Sequence, residues 1–553
     1  MNFNNIVKYK RKIIGLGYND HMNEKKKLLL KKVKENKYVR KTKKGIGSLI
    51  FSRTGLFAFL IISQIFIIYG LYRHFAIDEY WLLGGSSVIS FVMMILILNL
   101  DDMNPYMKLS WSLFIFVAPT FALVAFLMAH FRIGYRKIHR RVLEIEADAS
   151  KNHHKAMTKE AIENTEDKRF INLTSYLKNT GGFPVYNQTR SFYYKLGDDM
   201  FKDMIKDIRK AEKFIFMEFF ILDYGYMWGT ILEELVKKVN QGVEVRLLID
   251  GSNLITRLHS DFESEMEDFG IKFRVFSKMY PIVSTYLNNR DHRKVMVVDG
   301  KWAYTGGINL ADEYINKYER FGHWKDCGLR LEGQGVDALT NLFLTMWNAA
   351  KHETVVEDYN KYLVAKPIED HDGYYVAFSD NPTDDERLSQ NIFLDMVNNA
   401  RDYIYAMTPY FIVDNEVVSG LQAAAKKGVD VRICIPHIPD KKIAFSLAKT
   451  HYAELIKCGV KIYEYTPGFV HSKTWLADGK IGMVGTINLD YRALFQNFEC
   501  GVLIYKSKSL ETIKEDFDEF FQVSQLVTDE DIENIKLRTR LAGALLKPFA
   551  PLM

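Results

Sequence analysis

The chain contains itself twice. The pattern His-x-Lys-x-x-x-x-Asp occurs as His292-Arg293-Lys294-Val295-Met296-Val297-Val298-Asp299 and again as His471-Ser472-Lys473-Thr474-Trp475-Leu476-Ala477-Asp478. Each copy is followed by Gly, and each His has an Asn 17 residues later, Asn309 and Asn488. The surroundings repeat too: residues 214–221 match 403–411, and 242–250 match 428–436. The two histidines are 179 residues apart, so the repeated unit is a whole lobe rather than a short solenoid period. Within each copy the order strand, helix, strand implies a parallel pair with a crossover. The expected fold class is therefore α/β: two duplicated lobes, each a mixed sheet flanked by helices, related by a pseudo-twofold axis.

The apolar filler of the motif predicts a buried strand, on which residues two apart share a face. His292 then projects with Lys294, and His471 with Lys473. An imidazole beside an ammonium suits work on a phosphate: the lysine neutralises oxygens while the histidine attacks or donates a proton. The pairs Asp299-Gly300 and Asp478-Gly479 read as hairpin turns. Each Asp then sits at the end of its strand, as a structural or orienting group. The returning strand would bring Asn309 and Asn488 back toward the histidines as neutral donors to phosphate.

This paired motif resembles that of the phospholipase D superfamily, and the resemblance covers about residues 180 to 553. It implies that His292, Lys294, Asp299, His471, Lys473 and Asp478 form one catalytic site. It also implies a carboxylate that orients each His. In the second half that is Glu499, 28 residues after His471; in the first it is Asp326, from matching Asp326-Cys327-Gly328-Leu329 to Glu499-Cys500-Gly501-Val502. A small residue 15 positions after each His, Gly307 and Thr486, is expected near the phosphate, Gly307 offering backbone only. Glu218-Phe219-Phe220 and Thr408-Pro409-Tyr410-Phe411 resemble stretches of bacterial cardiolipin synthases. That places Glu218 and Thr408 at equivalent positions bordering the pocket. The closing Ala550-Pro551-Leu552-Met553 resembles the C-terminus of those enzymes.

Ahead of the lobes the composition changes. Residues 1–54 are polar and strongly basic, which favours attraction to anionic lipid headgroups. Three uncharged apolar stretches follow, about 55–72, 81–100 and 109–131, each long enough to span a hydrocarbon core. Six Lys or Arg lie in the 20 residues before the first stretch and six in the 20 after the last. The positive-inside tendency wants both flanks in the cytoplasm, yet three spans put them on opposite sides. Either one segment is re-entrant or one flank loses. The sequence Asn104-Pro105-Tyr106-Met107-Lys108 with the later Pro119 resembles the membrane hairpin of bacterial cardiolipin synthases. Residues 132–180 read as a loose or helical connector, 181–355 as the first lobe, 356–386 as a polar inter-lobe linker, and 387–553 as the second lobe. The expected location is the cell membrane, multi-pass, with the lobes on the cytoplasmic side.

Four widely spaced cysteines give neither a disulfide framework nor zinc spacing. Cys327 and Cys500 occupy matching strand positions and are expected to be packing residues. No carboxylate cluster beside the histidines offers metal ligands, and the resembled family needs no cofactor. The net charge of +6 is modest, and the basic excess lies near the N-terminus rather than in a groove of the lobes. That disfavours nucleic acid as the partner and favours phosphatidylglycerol and other anionic membrane lipids. The resemblance implies transfer of a phosphatidyl group between two phosphatidylglycerols to give cardiolipin and glycerol, with a phosphohistidine on His292 and His471 as acid/base. The residues themselves do not rank the two histidines. A hydrolytic phospholipase D, another phosphatidyltransferase and a non-catalytic membrane scaffold are the alternatives.

Overall fold

The computed structural model describes residues 80–552 apart from 102, 118–121, 123–125, 128–135, 150–155, 158, 278–288, 351–356 and 385, together with 66, 69, 70 and 73. The basic segment 1–54 and most of the stretch 55–72 lie outside the described residues.

The duplication is literal. In the first lobe a seven-stranded sheet runs in the order Thr189–Tyr194, Gly328–Gly333, Trp302–Gly306, Lys294–Val298, Phe214–Phe219, Glu244–Asp250, Lys272–Phe276. In the second the order is Tyr374–Asp380, Asn497–Tyr505, Ile481–Gly485, Thr474–Ala477, Tyr403–Met407, Asp430–Pro436, Lys461–Tyr465, closed by Ser524–Leu526. The motif strand is central in both. Phe214–Phe219 pairs parallel with Glu244–Asp250 through the helix Tyr226–Asn240, and the histidine-bearing side is antiparallel, so each sheet is mixed.

Central strands buried on both faces read as continuous apolar runs, and here Val295, Met296, Val297 and Val298 are all fully buried. One face of the first sheet meets the amphipathic helix Gly197–Lys210, whose Met200, Met204, Ile205 and Ile208 recur at helical spacing. The opposite faces of the two sheets share one core. It contains Val295, Val297 and Leu331 of the first sheet, Leu476, Val484 and Val502 of the second, and the helices Val336–Ala349 and Ser509–Gln522 between them. Truncating any one of these side chains to Ala would cost ~2–5 kcal/mol.

Both Asp-Gly pairs form the predicted hairpin turns. Asp299 and Gly300 have φ of 54° and 63°, and Asp478 and Gly479 have 52° and 64°. Positive φ at both central residues is the turn that matches strand twist.

Three boundaries differ from expectation. Residues 132–180 are not a loose connector: Arg136–Ala149 packs on Val336–Ala349, and Lys168–Gly181 buries Phe170, Leu173 and Leu177 in the second-lobe core. The polar stretch 356–386 holds Tyr374–Asp380, an edge strand of the second sheet, because a solvated edge tolerates a polar sequence. Of the expected spans, 81–100 is the helix Tyr80–Leu98 and 109–131 falls on Pro105–Val117 and partly outside the described residues. Among the described residues no helix is long and apolar enough to cross a membrane.

Candidate active site

Each motif histidine is gripped by the other lobe. Two short parallel pairings do this. Arg290–Asp291, which leads into His292, pairs with Asn497 and Phe498, which lead into Glu499. Gly468–Val470, which leads into His471, pairs with His323–Lys325, which leads into Asp326. The backbone N–H of His292 donates to the Phe498 carbonyl at 3.0 Å, and that of His471 to the Lys325 carbonyl at 2.7 Å. His292 Nδ1 then lies 2.8 Å from Glu499 Oε1, and His471 Nδ1 2.8 Å from Asp326 Oδ2. An ionised carboxylate only accepts, so Nδ1 carries the proton and Nε2 of each neutral ring keeps its lone pair.

Lys294 and Lys473 share the face of their own histidines, as the strand spacing predicts. Each ammonium donates to the carbonyl of its histidine, and Lys473 Nζ also lies 2.8 Å from His471 Nδ1. The charge of each lysine reaches the histidine of the opposite lobe. Both halves therefore converge on one cluster. Aromatic rings wall it: Phe220 is 4.9 Å from the His292 ring, and Tyr314 and Trp324 are 5.2 Å and 5.5 Å from the His471 ring.

Burial governs the protonation states. It holds the His292 ring well below the usual histidine range, aided by Lys294, Lys473, Lys441 and Arg492. It lowers His471 to about 4, with Lys473 adding to the effect and Asp326 opposing it. Burial also lowers Lys294 to about 7 and Lys473 to about 8, and raises Glu499 to about 7. Two neutral imidazoles among lysines that are only loosely protonated make a site short of an anion. A phosphodiester placed there would restore the charge on every cation around it.

Several expected residues stand elsewhere. Asp299 and Asp478 sit at the far end of their strands and do not enter the site. Asp299 accepts from the backbone N–H of Glu212, Lys213 and Phe214 at 2.7–2.8 Å. Asp478 does the same for Arg401, Asp402 and Tyr403. They are turn-fixing groups, because the positive-φ turn aims their carboxylates at the incoming loop. Glu218 faces away from the phosphate position: its carboxylate pairs with the fully buried Arg293, Nη2 to Oε1 at 2.7 Å. Its equivalent is also one residue off. Glu218 stands opposite Val295 and Met407 opposite Thr474, so Met407, not Thr408, matches it.

Asn309 is fully buried and committed to its own lobe. Its carbonyl accepts from Ile221 N–H at 2.9 Å and its amide donates to the Tyr314 hydroxyl at 3.0 Å. Asn488 is buried beside Asp490, its carbonyl oxygen without a protein partner. Thr486 donates to the Glu499 carboxylate and receives the Cys500 N–H at 3.0 Å. Gly307 has no room for a side chain, because a Cβ would strike the Asp326 carboxylate and the His471 carbonyl. Cys327 and Cys500 are buried free thiols, as expected. Among the described residues no group of three or more His, Cys, Asp or Glu is arranged to hold a metal.

Residues that sequence reasoning passed over include Phe220, Tyr314, Trp324, Lys441 and Arg492. Trp324 lies two residues before Asp326, a signal that was available. The others come from loops whose approach depends on the packing of the lobes.

The chain matches the family described as cardiolipin synthase, PLD-like domain, over residues 204–322 and 393–521, each segment holding one motif or its strand continuation. A Clostridium perfringens protein named cardiolipin synthase is 33% identical over 381 residues, covering 66% of this chain and 79% of that protein. A Streptococcus mutans protein without a functional name is 48% identical over 385 residues, covering 70% of this chain and 83% of that protein. The crystal structure of phosphatidylserine synthase from Haemophilus influenzae Rd KW20 superimposes with a TM-score of 0.52 at 15% identity, over 69% of this chain and 98% of that one, a likeness of fold.

Proposed function

The chain belongs to the cardiolipin synthase family of phospholipase D-like phosphatidyltransferases, and from that premise we propose that it joins two phosphatidylglycerols into cardiolipin with release of glycerol. The observation that carries this reading is the exchange of carboxylates. With Nδ1 of each histidine tied to the opposite lobe, both Nε2 atoms are left for substrate.

In the first half-reaction Nε2 of His292 attacks phosphorus. The bond from phosphorus to the departing glycerol oxygen breaks, and that oxygen takes the Nε2 proton of His471. The product is a phosphatidyl group on His292, with free glycerol. In the second half-reaction the glycerol hydroxyl of another phosphatidylglycerol gives its proton back to His471 and attacks phosphorus. Nε2 of His292 leaves, and cardiolipin results. Lys294 and Lys473 hold the non-bridging oxygens, in the preorganised manner that makes charge stabilisation effective.

The roles of the two histidines follow from their surroundings. His292 is held neutral by burial and four cations, which suits a nucleophile. His471 has Asp326 pulling its proton affinity back up, which suits an acid. An anionic phosphodiester between them raises that affinity further.

The region 55–131 is read as holding the lobes at the cell membrane, multi-pass, with the lobes on the cytoplasmic side. The helix Tyr80–Leu98 supports this: it carries no charge, and Phe91, Ile95 and Leu98 are exposed. The test is incubation of the full chain with phosphatidylglycerol vesicles. Cardiolipin and glycerol in equal amounts are expected. Release of phosphatidic acid instead would make the protein a hydrolase.

A further inference from the structure

The helix Leu537–Leu546 presents a row of leucines to the outside: Leu537, Leu541 and Leu545 are 71%, 54% and 72% exposed. Positions four apart lie on one helical face. Single exposed apolar residues are ordinary on a protein surface, but an aligned row marks an interaction face. The other side of this helix is already packed: Gly543 lies against the backbone of Ser446 in the helix Lys442–Ala448. That helix exposes Ile443 next to the leucines, at 51%.

Charge identifies the occupant. The helix contains no acid, and exposed Lys536, Arg538, Arg540 and Lys547 border the leucine row. An apolar face rimmed by bases fits the interface of a bilayer carrying anionic headgroups. Continuity points the same way. The turn Lys547–Leu552 continues the helix and packs on Pro105–Val117, where the Ser110 hydroxyl donates to the Pro548 carbonyl. Tyr106 and Leu109 of that N-terminal helix are exposed as well. The exposed apolar surface thus runs from the N-terminal hairpin to the C-terminal helix.

The same segment is tied to the site. Gln496 donates to the Pro551 carbonyl at 3.1 Å, and its neighbour Asn497 donates to Glu499 at 3.0 Å. Lys441, whose charge reaches His292, immediately precedes the helix on which Leu537–Leu546 rests. We propose that Leu537–Leu546 lies in the headgroup layer of an anionic bilayer as a second contact of the catalytic lobes with the membrane, holding the Lys441 side of the site against lipid. This rests on the membrane reading above.

The test uses the full chain in phosphatidylglycerol vesicles with a fluorophore on Leu541→Cys and, separately, on Glu511→Cys, an exposed site on the other side of the second lobe. Nitroxide-bearing lipid should quench the first and spare the second. An unquenched label at 541 overturns the proposal, whether water or a second copy of the chain covers the row. The triple change Leu537→Ser, Leu541→Ser, Leu545→Ser should lower cardiolipin formation in vesicles at least ~10-fold. On short-chain phosphatidylglycerol in detergent micelles its activity should stay within about twofold of the parent. Equal loss in both, or no loss in vesicles, overturns the docking role. If the parent chain makes no cardiolipin from either substrate, the catalytic reading falls while the quenching result still decides the docking.

Discussion

The two lobes share a sheet order, a motif and a turn, yet they support their histidines differently. Behind His292 lies a buried charge cluster: Arg293 pairs with Glu218 at 2.7 Å and lies 3.6 Å from Asp291. Behind His471 the same positions are Ser472, Met407 and Val470, with no charge among them. The supporting carboxylates differ too. The first lobe contributes the shorter Asp326 against Gly307, and the second the longer Glu499 held by Thr486. Duplication supplied two equal imidazoles, and the second layer around them made the two unequal. Division of labour between nucleophile and acid therefore lies outside the motif.

The largest expected effect tests the division directly. His292→Ala and His471→Ala should each lower turnover at least ~100-fold, and up to ~10,000-fold. With a substrate bearing a good leaving group, the His471→Ala chain should still accumulate an acid-labile adduct on His292. An adduct found on His471 in the parent chain would reverse the roles while leaving the site intact.

Next comes the charge cluster. Arg293→Ala leaves Glu218 and Asp291 buried without their cation and should cost ~3–5 kcal/mol in denaturant unfolding. Copying the second lobe with Arg293→Ser, Glu218→Met and Asp291→Val should recover most of that loss. If the triple variant is no more stable than the single one, the cluster is not self-contained.

The motif aspartates should show the lobes behaving alike. Asp299→Ala and Asp478→Ala each free three backbone donors and should cost about 2 kcal/mol apiece. Turnover at a temperature where the fold persists should change little. A loss of turnover as large as that of the histidine changes would return these residues to the chemistry.

The smallest effect concerns pH. Asp326 raises the proton affinity of His471, and protonated His471 is the acid. Turnover should fall as pH rises through that affinity. Asp326→Asn removes the raising influence, so the falling limb should move to lower pH, by about one unit. A limb that stays in place would take the acid role away from His471.

The sequence made the fold readable because it printed the same lobe twice: two copies of His-x-Lys, Asp-Gly and the flanking strands locate both sheets. The site was half readable. The histidines and lysines converge as strand spacing requires, and Asp326 and Glu499 were found by matching Cys327 to Cys500. That each carboxylate crosses to the other lobe was not visible, because it depends on two-residue and three-residue parallel pairings with no pattern of their own. Glu218 and Asn309 were drawn toward substrate by their polarity. Burial turned both inward, to Arg293 and to the Ile221 backbone. The N-terminal hairpin was legible as apolar length, while its seat on the C-terminal turn was not.

The crossed grips on the two imidazoles make the machine all-or-none. Neither half could be severed and still hold a correctly set nitrogen, since each keeps its own ring aligned only by borrowing an acid from its neighbour. A rigid-body gap of little more than one ångström between the halves would loosen both rings together, so how tightly the halves clasp and whether the chemistry can start are one quantity.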